Sequence, residues 1–483
     1  MSEHPVKAII VGAGPAGLTA AYELSKRGQT VVVLERDPEY VGGLARTVPY
    51  RGYRFDIGGH RFFSKSQEIE NLWKEILGSD LLERPRSSKI YYRRRFYSYP
   101  LRPLEALMQL GFVESVLCLL SFVRALVAPT ANPKSYEDWV VNQFGRRLYQ
   151  IFFKTYTEKI WGMSCKEISA DWAVQRIRGL SLGTAIKHAL LPKPLRRKHA
   201  AVIKTLVDRF HYPRLGPGMM WEKCAEKVQQ MGGQVLLGRT VECCRFQDAD
   251  GSWTVSARTT SGGVEAYTGG HLLSSMPISD LVSMIVPELP EAVRRSAVAL
   301  RYRDFITVGL ILRERNQLKD NWIYIHDPGV KVGRVQNYKA WSPEMVIDPN
   351  YCCYGLEYFC FEGDGLWNRR DEELIALAKH ELETLELAES ADVIDGCVMR
   401  QPKAYPVYDE LHKQHIHVLR EALDANLRNV YLVGRNGMHK YNNQDHAMMT
   451  GLLAARNVLA AEKKYDVWAV NDDASYHEPD ISR

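Results

Sequence analysis

A glycine-rich turn near the start of the chain constrains the fold more than any other feature. The apolar run Val6–Val11 leads into Gly12, Gly14 and Gly17, and a helical pattern opens within the same turn. In such a turn Gly12 permits the tight bend, Gly14 lets backbone N–H groups approach a pyrophosphate, and Gly17 lets the helix pack closely on the strand. A second β-branched run at residues 30–34 completes a β-α-β unit. The sequence therefore predicts a dinucleotide-binding fold.

The residues after this unit indicate which dinucleotide it binds. Glu35 closes the second run at the distance expected for a carboxylate that binds a ribose. Glycine patches follow at residues 42–47 and 55–60, where NAD-binding chains usually continue with another β/α unit. A backbone without bulky side chains can run beside an extended FAD, and the patches resemble the glutathione-reductase-like FAD folds. The cofactor contacts expected in this half are Gly12, Gly14, Ala16, Gly17, Glu35, Arg36, Gly43, Leu44, Ala45, Arg46, Gly59 and His60. For Arg46, a place on the surface is an equal alternative.

Composition and charge limit the remaining classes of function. The 483 residues are 46% hydrophobic, which allows roughly two to four structural units with large cores. The net charge of +6 suits an anionic small molecule, and no basic run with interleaved aromatic residues predicts nucleic-acid binding. The nine cysteines contain no C-x-x-C pair. We therefore expect reduced, buried thiols in a cytoplasmic protein, without a metal site or a disulfide framework.

An apolar stretch at residues 104–128 bears on membrane association. Glu105, Glu114 and Arg124 interrupt the stretch, so it predicts a buried or amphipathic helix pair rather than a membrane span. A peripheral membrane contact is the less favoured alternative. The residues before the first strand are too few and too polar for a signal peptide. We expect no integral membrane segment.

The order of the elements predicts a discontinuous α/β architecture. We expect an FAD-binding domain from residues 1–85, 213–290 and 425–465, a helical insert at 101–210 that caps the substrate, a substrate-binding sheet from 88–100 and 300–424, and a polar tail at 466–483. Within the insert, helices are expected at 101–128, 135–153, 170–178 and 198–210. Residues 88–100 predict a hairpin with Arg93, Arg94 and Arg95 near its solvated tip. The fold class is thus α/β, a glutathione-reductase-like FAD-binding Rossmann fold with a helical insert and an antiparallel substrate sheet.

Three segments resemble the UDP-galactopyranose mutases, a group within the amine oxidase and protoporphyrinogen oxidase-like FAD superfamily. The first is Phe55-Asp56-x-Gly58-Gly59-His60-x-Phe62-x-Ser64. In those mutases the histidine lies beside the flavin ring, so the resemblance implies that His60 hydrogen-bonds the flavin edge and tunes its electronics. A structural histidine in a glycine loop is the alternative.

The second segment runs from Phe152 through Tyr156 and Trp161 to Arg176. It is similar to the mutase segment that carries a substrate-facing tyrosine and tryptophan and an arginine that clamps the substrate diphosphate. The resemblance therefore implies that Tyr156 and Trp161 wall the sugar and that Arg176 grips the diphosphate. Spacing alone would instead indicate an aromatic core stripe.

The third segment joins a strand to the final helix and contains Gly434, Arg435, Tyr441 and Asp445. Amine oxidases typically have Gly-Asp at this turn, whereas the mutases have Gly-Arg, as here. The resemblance implies that Gly434, Arg435 and Asp445 meet the flavin and its phosphates, and that Arg435 and Tyr441 also reach the substrate. The chain departs from bacterial mutases at His439 and Asn443.

Two looser matches extend the predicted substrate site. Residues 333–338 resemble a eukaryotic mutase segment with a phosphate-binding arginine, which implies roles for Arg334 and Asn337. Residues 404–408 resemble a Tyr-Pro loop of the mutases, which implies that Tyr405 contacts the substrate. In both segments an exposed turn is nearly as good an interpretation.

The resemblance implies an isomerase. It would interconvert the pyranose and furanose forms of a UDP-, GDP- or dTDP-linked hexose without net redox change, with N5 of reduced FAD as the nucleophile toward the sugar. The residues implied in catalysis are His60, Arg176, Arg334 and Tyr441, and the residues implied in substrate binding are Tyr156, Trp161, Arg176, Arg334, Asn337, Tyr405, Arg435 and Tyr441. No second Gly-x-Gly-x-x-Gly is present, so NAD(P)H would reduce the flavin by visiting the same pocket transiently.

Other functions stay open on the sequence alone. The strongest is an FAD-dependent oxidase or desaturase of the amine oxidase or protoporphyrinogen oxidase type, which would share the N-terminal motifs. A dehydrogenase acting on a nucleotide sugar or polyketide and a non-catalytic flavin-bound scaffold are weaker alternatives. The residues leave the base, the hexose and the choice between NADH and NADPH open, and a homo-oligomer is compatible with them.

Overall fold

The computed structural model of the chain describes residues 6–99, 101–170, 182, 209–315 and 318–471. It is a mixed α/β structure with two large sheets. Strands are numbered β1 to β19 along the chain. Of the residues with predicted roles, Arg176 lies outside the described ranges, as do most of the predicted helices at 170–178 and 198–210.

The first large sheet carries the glycine-rich turn. Its strands run in the order β13, β10, β11, β12, β1, β2 and β9, and β19 also pairs with β12. Strands β12, β1, β2 and β9 are mutually parallel, as is β19 with β12. Their bounds are Val6–Val11 (β1), Val31–Leu34 (β2), Gln234–Leu236 (β9), Arg239–Gln247 (β10), Ser252–Thr259 (β11), Val264–Ser274 (β12), Ile285–Val286 (β13) and Val430–Leu432 (β19). Buried apolar residues fill β2 and the last four positions of β1, as expected of parallel strands covered on both faces.

The second large sheet is mostly antiparallel and runs in the order β18, β14, β17, β16, β15, β6 and β7. Only β15 and β6 among its neighbours are parallel. The bounds are Ser88–Tyr92 (β6), Arg95–Ser98 (β7), Tyr302–Arg313 (β14), Trp322–Ile325 (β15), Arg334–Asn337 (β16), Tyr351–Cys360 (β17) and Val393–Pro406 (β18). Two small ladders complete the strands: Thr47–Tyr50 (β3) with Tyr53–Asp56 (β4), and Leu81–Pro85 (β5) with Arg209–Pro213 (β8).

Helices cover the first sheet and form the insert. The α-helices of the described residues are Pro15–Lys26, Gln67–Leu77, Pro103–Leu110, Phe112–Val127, Tyr136–Phe144, Arg146–Tyr149, Thr155–Trp161, Gly218–Gln230, Ile278–Met284, Glu291–Ala299, Tyr338–Trp341, Asp371–Thr384, His412–Asn426, Gly434–Gly437 and Gln444–Ala460. Short 3-10 turns lie at Gly43–Ala45, Gly78–Asp80, Pro343–Met345, Ser390–Asp392 and Val467–Ala469. The first and last α-helices pack together, because Gly451 has no side chain to meet Ala16 O. This contact joins the two ends of the chain in one unit.

The insert differs from its predicted helices. The predicted helix at 101–128 is broken at Gly111, which adopts a φ of 91°. The predicted helix at 135–153 is interrupted at Gly145, where φ is 79°, and then continues through the π-helical turn Gln150–Lys154 to Trp161. Residues 209 and 210, placed in a helix by the sequence pattern, belong to β8.

The apolar stretch forms a pair of helices, as expected, but the second helix is largely exposed. Helix Phe112–Val127 buries only Cys118, Phe122 and Ala125 and leaves most of its apolar side chains exposed. No helix among the described residues is both long enough and apolar enough to cross a membrane.

Candidate active site

The glycine-rich turn has the close contacts that its spacing predicts. Gly12 has a φ of 96°, and a Cβ there would lie 2.2 Å from Ser275 Oγ. A Cβ on Gly17 would lie 2.0 Å from the carbonyl oxygen of Gly12. Gly14 is extended at the start of the helix, and its nearest neighbour across the turn is Gly43 Cα, 3.9 Å from an added Cβ. Gly12 and Gly17 therefore shape the turn. At Gly14 the absence of a side chain leaves the backbone exposed toward the second glycine patch.

Glu35 holds this turn from the end of β2. Its carboxylate accepts hydrogen bonds from the backbone N–H of Ala13 at 2.7 Å and of Asp37 at 3.0 Å. The side chain is buried, whereas the neighbouring Arg36 is exposed. The structure thus brings Glu35 to the glycine-rich turn, where a carboxylate can serve a ribose.

The second glycine patch lies against the first. Gly42 donates its N–H to the carbonyl oxygen of Ala13 at 2.8 Å. Arg46 donates to Gly43 O at 3.2 Å and to Gln401 Oε1 at 2.8 Å, and burial lowers the pKa of its guanidinium. Arg46 is therefore not a surface arginine. It links the second glycine patch to β18 of the other sheet, while Ala45 is buried in the core of the first sheet.

The far end of the chain returns to the same turn. Gly434 has a φ of 76°, donates its N–H to Thr450 Oγ1 at 2.9 Å, and would bring an added Cβ within 3.0 Å of Ala16 Cβ. Asp445 lies at the start of the last helix and accepts a hydrogen bond from Ser64 Oγ at 3.2 Å. Burial raises the pKa of Asp445 to about 6. Segments 12–17, 42–46, 58–64 and 434–445 thus meet in one place.

The His60 loop lies between this turn and the second sheet. His60 Nδ1 is 3.2 Å from the carbonyl oxygen of Gly58, which can accept a hydrogen bond from it. Burial, and then the charge of Arg435, lower the pKa of His60 to about 3. The imidazole is therefore neutral at ordinary pH, and with Nδ1 protonated its Nε2 is an acceptor. Gly59 packs on the Trp322 ring, 2.7 Å from an added Cβ.

Two stacked tyrosines hold Arg435. The rings of Tyr405 and Tyr441 lie 5.6 Å apart and nearly parallel, and the Arg435 guanidinium carbon is 5.2 Å and 4.8 Å from their respective centroids. Arg435 also donates to Asn442 O and Ala404 O, both at 3.1 Å. These contacts hold the guanidinium between the final turn and the Tyr-Pro loop. Trp161 is buried with its ring edge-on to Tyr405 at 6.5 Å.

Arg334 provides a second cation in the same cluster. It donates to the hydroxyl of Tyr405 at 2.9 Å and forms an ion pair with Glu357, and both charged residues are buried. Burial is the largest single influence and disfavours its charge, but Glu357 together with Tyr405, Tyr156 and Tyr441 raises the pKa of Arg334. Gln336 donates to the other carboxylate oxygen of Glu357 at 2.6 Å. The buried carboxylate of Glu357 therefore helps to keep Arg334 charged and holds its guanidinium in position.

An aromatic wall lies next to Arg334. Tyr156 stacks on His326 with centroids 4.7 Å apart, and its ring meets Tyr324 edge-on at 5.5 Å. Tyr324 stacks in turn on Tyr99 at 4.1 Å. Burial lowers the pKa of His326 to about 3, so this wall is uncharged.

One residue predicted to contact the substrate, Asn337, uses its side chain within the protein. Asn337 directs its side chain into the protein: Nδ2 donates to Leu318 O at 2.6 Å, and Oδ1 caps the short helix after it by accepting from Ala340 N at 3.4 Å. The other described candidates lie close together. Direct contacts link Trp161, Tyr405, Tyr441, Arg334 and Arg435, and Tyr156 is linked to Arg334 through Tyr324 and Trp322. Burial and the charges of Arg435 and Arg334 lower the pKa of His60.

Sequence reasoning missed several members of this set. Glu357 is the lone charge in the otherwise uncharged strand Tyr351–Cys360, and a lone buried charge requires a partner. That signal was present in the sequence. Trp322, Tyr324 and His326 alternate along β15 and its end, but only the sheet order shows that they lie beside Tyr156.

The residues fit an FAD. The two glycine patches face each other without side chains between Gly14 and Gly43. Near the start of the last helix, the buried Oδ1 of Asn442 and both amide atoms of Gln444 have no hydrogen-bond partner among the described residues. A helix N-terminus with unsatisfied polar groups beside a glycine turn suits the phosphate and ring edges of such a cofactor.

Comparison with known proteins agrees with this geometry. The family described as flavin containing amine oxidoreductase matches residues 15–459, nearly the whole chain. The chain belongs to this family. Among curated relatives, a probable UDP-galactopyranose mutase from Klebsiella pneumoniae is 27% identical over 173 residues, 34% of this chain and 43% of the relative. A 1-hydroxycarotenoid 3,4-desaturase from Flavobacterium sp. (strain P99-3) is 48% identical over 56 residues, 12% of this chain and 11% of the relative. The match thus spans less than half of either relative's length.

Solved structures show the same fold. The crystal structure of a reduced UDP-galactopyranose mutase superposes with a TM-score of 0.80 at 21% identity and covers 96% of this chain and 99% of its own. A putative protoporphyrinogen oxidase from Exiguobacterium sp. 255-15 superposes with a TM-score of 0.72 at 16% identity, covering 96% and 100%. At these identities the likeness establishes the fold of the chain.

Proposed function

We propose that the chain is an FAD-dependent mutase that interconverts the pyranose and furanose forms of a nucleoside-diphosphate hexose. The observation that supports this most is the pair of cations Arg334 and Arg435, joined through Tyr405, beside a neutral His60. A diphosphate needs two fixed cations, and guanidinium groups bind phosphate oxygens in a bidentate way. The similarity to UDP-galactopyranose mutases in sequence and fold points to the same substrate class.

Each side chain then has a limited task. Arg334 and Arg435, with Arg176, hold the diphosphate, and Tyr441, Trp161 and Tyr156 shape the sugar pocket. Reduced FAD, when bound, supplies N5 as the nucleophile toward the anomeric carbon. The arginines keep the released nucleoside diphosphate bound, so that it can rejoin the sugar. His60, being neutral with its Nδ1 proton directed to Gly58 O, can accept a hydrogen bond at Nε2 from the flavin edge without adding charge.

Further parts of this proposal follow from the same assignment. We place the cofactor on the first large sheet, a discontinuous FAD-binding domain of the glutathione-reductase-like Rossmann type, with the second sheet and the insert as the substrate side. NAD(P)H reduces the flavin by entering the substrate pocket. The nine free cysteines, seven of them buried, suit a cytoplasmic location.

An assay with defined flavin redox state tests the proposal. The purified enzyme is reduced with dithionite without oxygen and incubated with a panel of UDP-, GDP- and dTDP-hexoses. We expect furanose product only with reduced FAD and without stoichiometric consumption of NAD(P)H. Steady oxygen uptake, or continuous NAD(P)H consumption linked to a product of altered mass, would instead support an oxidase or desaturase, for which the match to the carotenoid desaturase is the favouring observation.

Substitution of Arg334 tests the proposed site with a matched control. Arg334→Lys keeps the charge but loses the bidentate fork, so the substrate KM should rise at least about tenfold while bound FAD is retained. Arg258→Lys is the control, because Arg258 also pairs with a glutamate, Glu242, but on β11 away from the cluster. Equal KM values for both variants would mean that Arg334 does not bind the substrate.

A further inference from the structure

Helix Phe112–Val127 exposes an apolar surface that the proposed active site does not use. Phe112 and Val127 at its ends are 84% and 80% exposed, and Leu120 in the middle is 62% exposed. The apolar face, comprising the exposed side chains of this helix and of the helix before it, consists of Met108, Phe112, Val113, Val116, Leu117, Leu119, Leu120, Val123, Leu126 and Val127. Scattered exposed apolar residues are normal, but a contiguous face of this kind marks a binding surface.

The helix is oriented with its more apolar side toward solvent. Its inner contact is a narrow stripe of Cys118, Phe122 and Ala125, at the i, i+4, i+7 spacing of one helix face. Its two charges, Glu114 and Arg124, lie near opposite ends. A helix of sixteen residues is about 24 Å long. The apolar face thus forms a band along the outer side of one helix.

Arginines border this band. Arg124 is exposed on the helix itself, and Arg102 is exposed at the start of the preceding helix. Arg95, at the tip of the β6–β7 hairpin, donates to the carbonyl oxygen of Gln109. Arg93 is exposed at the tip of the same hairpin, and Arg147 and, more weakly, Arg93 lower the pKa of Glu114. The two acidic residues of the two helices are both engaged, Glu105 with Ser98 and Glu114 with Arg147.

We propose that this surface binds peripherally to an anionic lipid bilayer. The apolar face would lie in the plane of the interface, and Arg93, Arg95, Arg102 and Arg124 would meet the lipid phosphates around it. An apolar helix face bordered by cations is the pattern that lies on such membranes, because burial of apolar area and attraction to anionic headgroups add.

The border charge favours a bilayer over a second copy of the chain. Pairing two such faces about a twofold axis would bring like-charged arginines together around the contact, while the acidic residues that could pair with them are already engaged. An anionic bilayer complements the arginines at every point of the border. This inference does not depend on which reaction the enzyme catalyses.

Vesicle binding by the full-length FAD-loaded protein tests the inference. Co-sedimentation is measured with vesicles of phosphatidylcholine alone and of phosphatidylcholine with phosphatidylglycerol, at low and high salt. We expect binding to the anionic vesicles that weakens with salt. Phe112→Ser with Leu120→Ser and Val127→Ser should weaken it at least about tenfold, and Arg93→Glu with Arg124→Glu about tenfold.

Matched controls separate this surface from general effects of substitution. Val264→Ser with Val298→Ser and Ile347→Ser removes three exposed apolar side chains elsewhere, and Arg294→Glu with Arg295→Glu makes the same charge change on another helix. Both controls should bind vesicles like the wild type. Flavin absorbance and melting temperature of all variants establish that each is folded and loaded.

The other outcomes overturn the inference. Absence of binding to anionic vesicles would do so directly. So would equal binding to both vesicle types, since the arginines would then have no role. A concentration-dependent dimer that the Phe112 triple variant abolishes, without vesicle binding by the wild type, would assign the surface to a second copy.

Discussion

The glycine-rich turn and the arginine–tyrosine cluster, which we propose bind the cofactor and the substrate, are built in opposite ways. At the turn, Gly12, Gly17 and Gly434 work by having no side chain, because each lies too close to a neighbouring atom to leave room for one. In the cluster, long side chains from segments far apart in sequence, such as Arg334 and Arg435, are held by aromatic rings and one buried carboxylate. The first can be recognised from a dozen consecutive residues, and the second depends on the whole fold. Substitutions should therefore separate cofactor binding from substrate binding.

The largest expected effect is at the turn. Gly17→Val should abolish FAD binding, because even a Cβ would lie 2.0 Å from the Gly12 carbonyl oxygen and backbone cannot yield cheaply. Flavin absorbance of the purified protein measures this. Gly365→Val is the matched control, since an added Cβ there has open space. Full flavin content in Gly17→Val would show that the turn does not hold the cofactor.

The next largest effect concerns the ion pair of the cluster. Arg334→Met leaves the carboxylate of Glu357 buried without its partner, which should lower the free energy of unfolding by about 3–5 kcal/mol. Adding Glu357→Met should restore most of that stability without restoring activity. Denaturant unfolding and turnover together check both expectations. A double variant as unstable as the single one would mean that Glu357 does not act through Arg334.

A smaller effect is expected where the two cations meet. Tyr405→Phe removes the acceptor of the Arg334 hydrogen bond but keeps the ring that stacks on Tyr441. A hydrogen bond to a charged group contributes about 1.5–3 kcal/mol, so substrate KM should rise about tenfold or more with FAD content unchanged. Tyr465→Phe, at an exposed tyrosine, is the control. Loss of FAD in Tyr405→Phe would mean that Tyr405 also supports cofactor binding, which contradicts the separation of the two regions.

The smallest predicted effect lies between the regions and depends on pH. Burial raises the pKa of Asp56 to about 7, against the hydrogen bonds from Tyr212 and Thr47. The folded state therefore binds a proton more tightly than the unfolded state, and stability should fall as pH rises from about 4 to 7, then level off. Asp56→Asn should flatten that dependence in melting curves. Stability of the wild type that rises over this range relative to Asp56→Asn would contradict the assignment.

The comparison also explains what the sequence could reveal. Glu35 and Gly434 were recognisable because a strand end and a strand-to-helix turn are local patterns. Asn337 was assigned to substrate on the resemblance of its segment to the mutases, and the sequence alone did not show that its amide caps the helix that follows. Trp322 and His326 could not be placed, because their neighbours come from sheet order rather than from spacing. Helix Phe112–Val127 was predicted to be buried or amphipathic, but its exposed apolar face was not foreseen. Periodicity does not say which face of a helix the fold covers.

The central claim is that a nucleotide sugar is opened at its anomeric carbon in this cluster. A substrate labelled with oxygen-18 at the bridge between the sugar and the β-phosphate tests this most directly. If the anomeric C–O bond breaks and reforms, the label should spread to the non-bridging β-phosphate oxygens with reduced enzyme, and far more slowly with Arg334→Lys. Label that stays in the bridge with fully reduced, FAD-loaded enzyme, for every nucleotide sugar in the panel, would contradict the account.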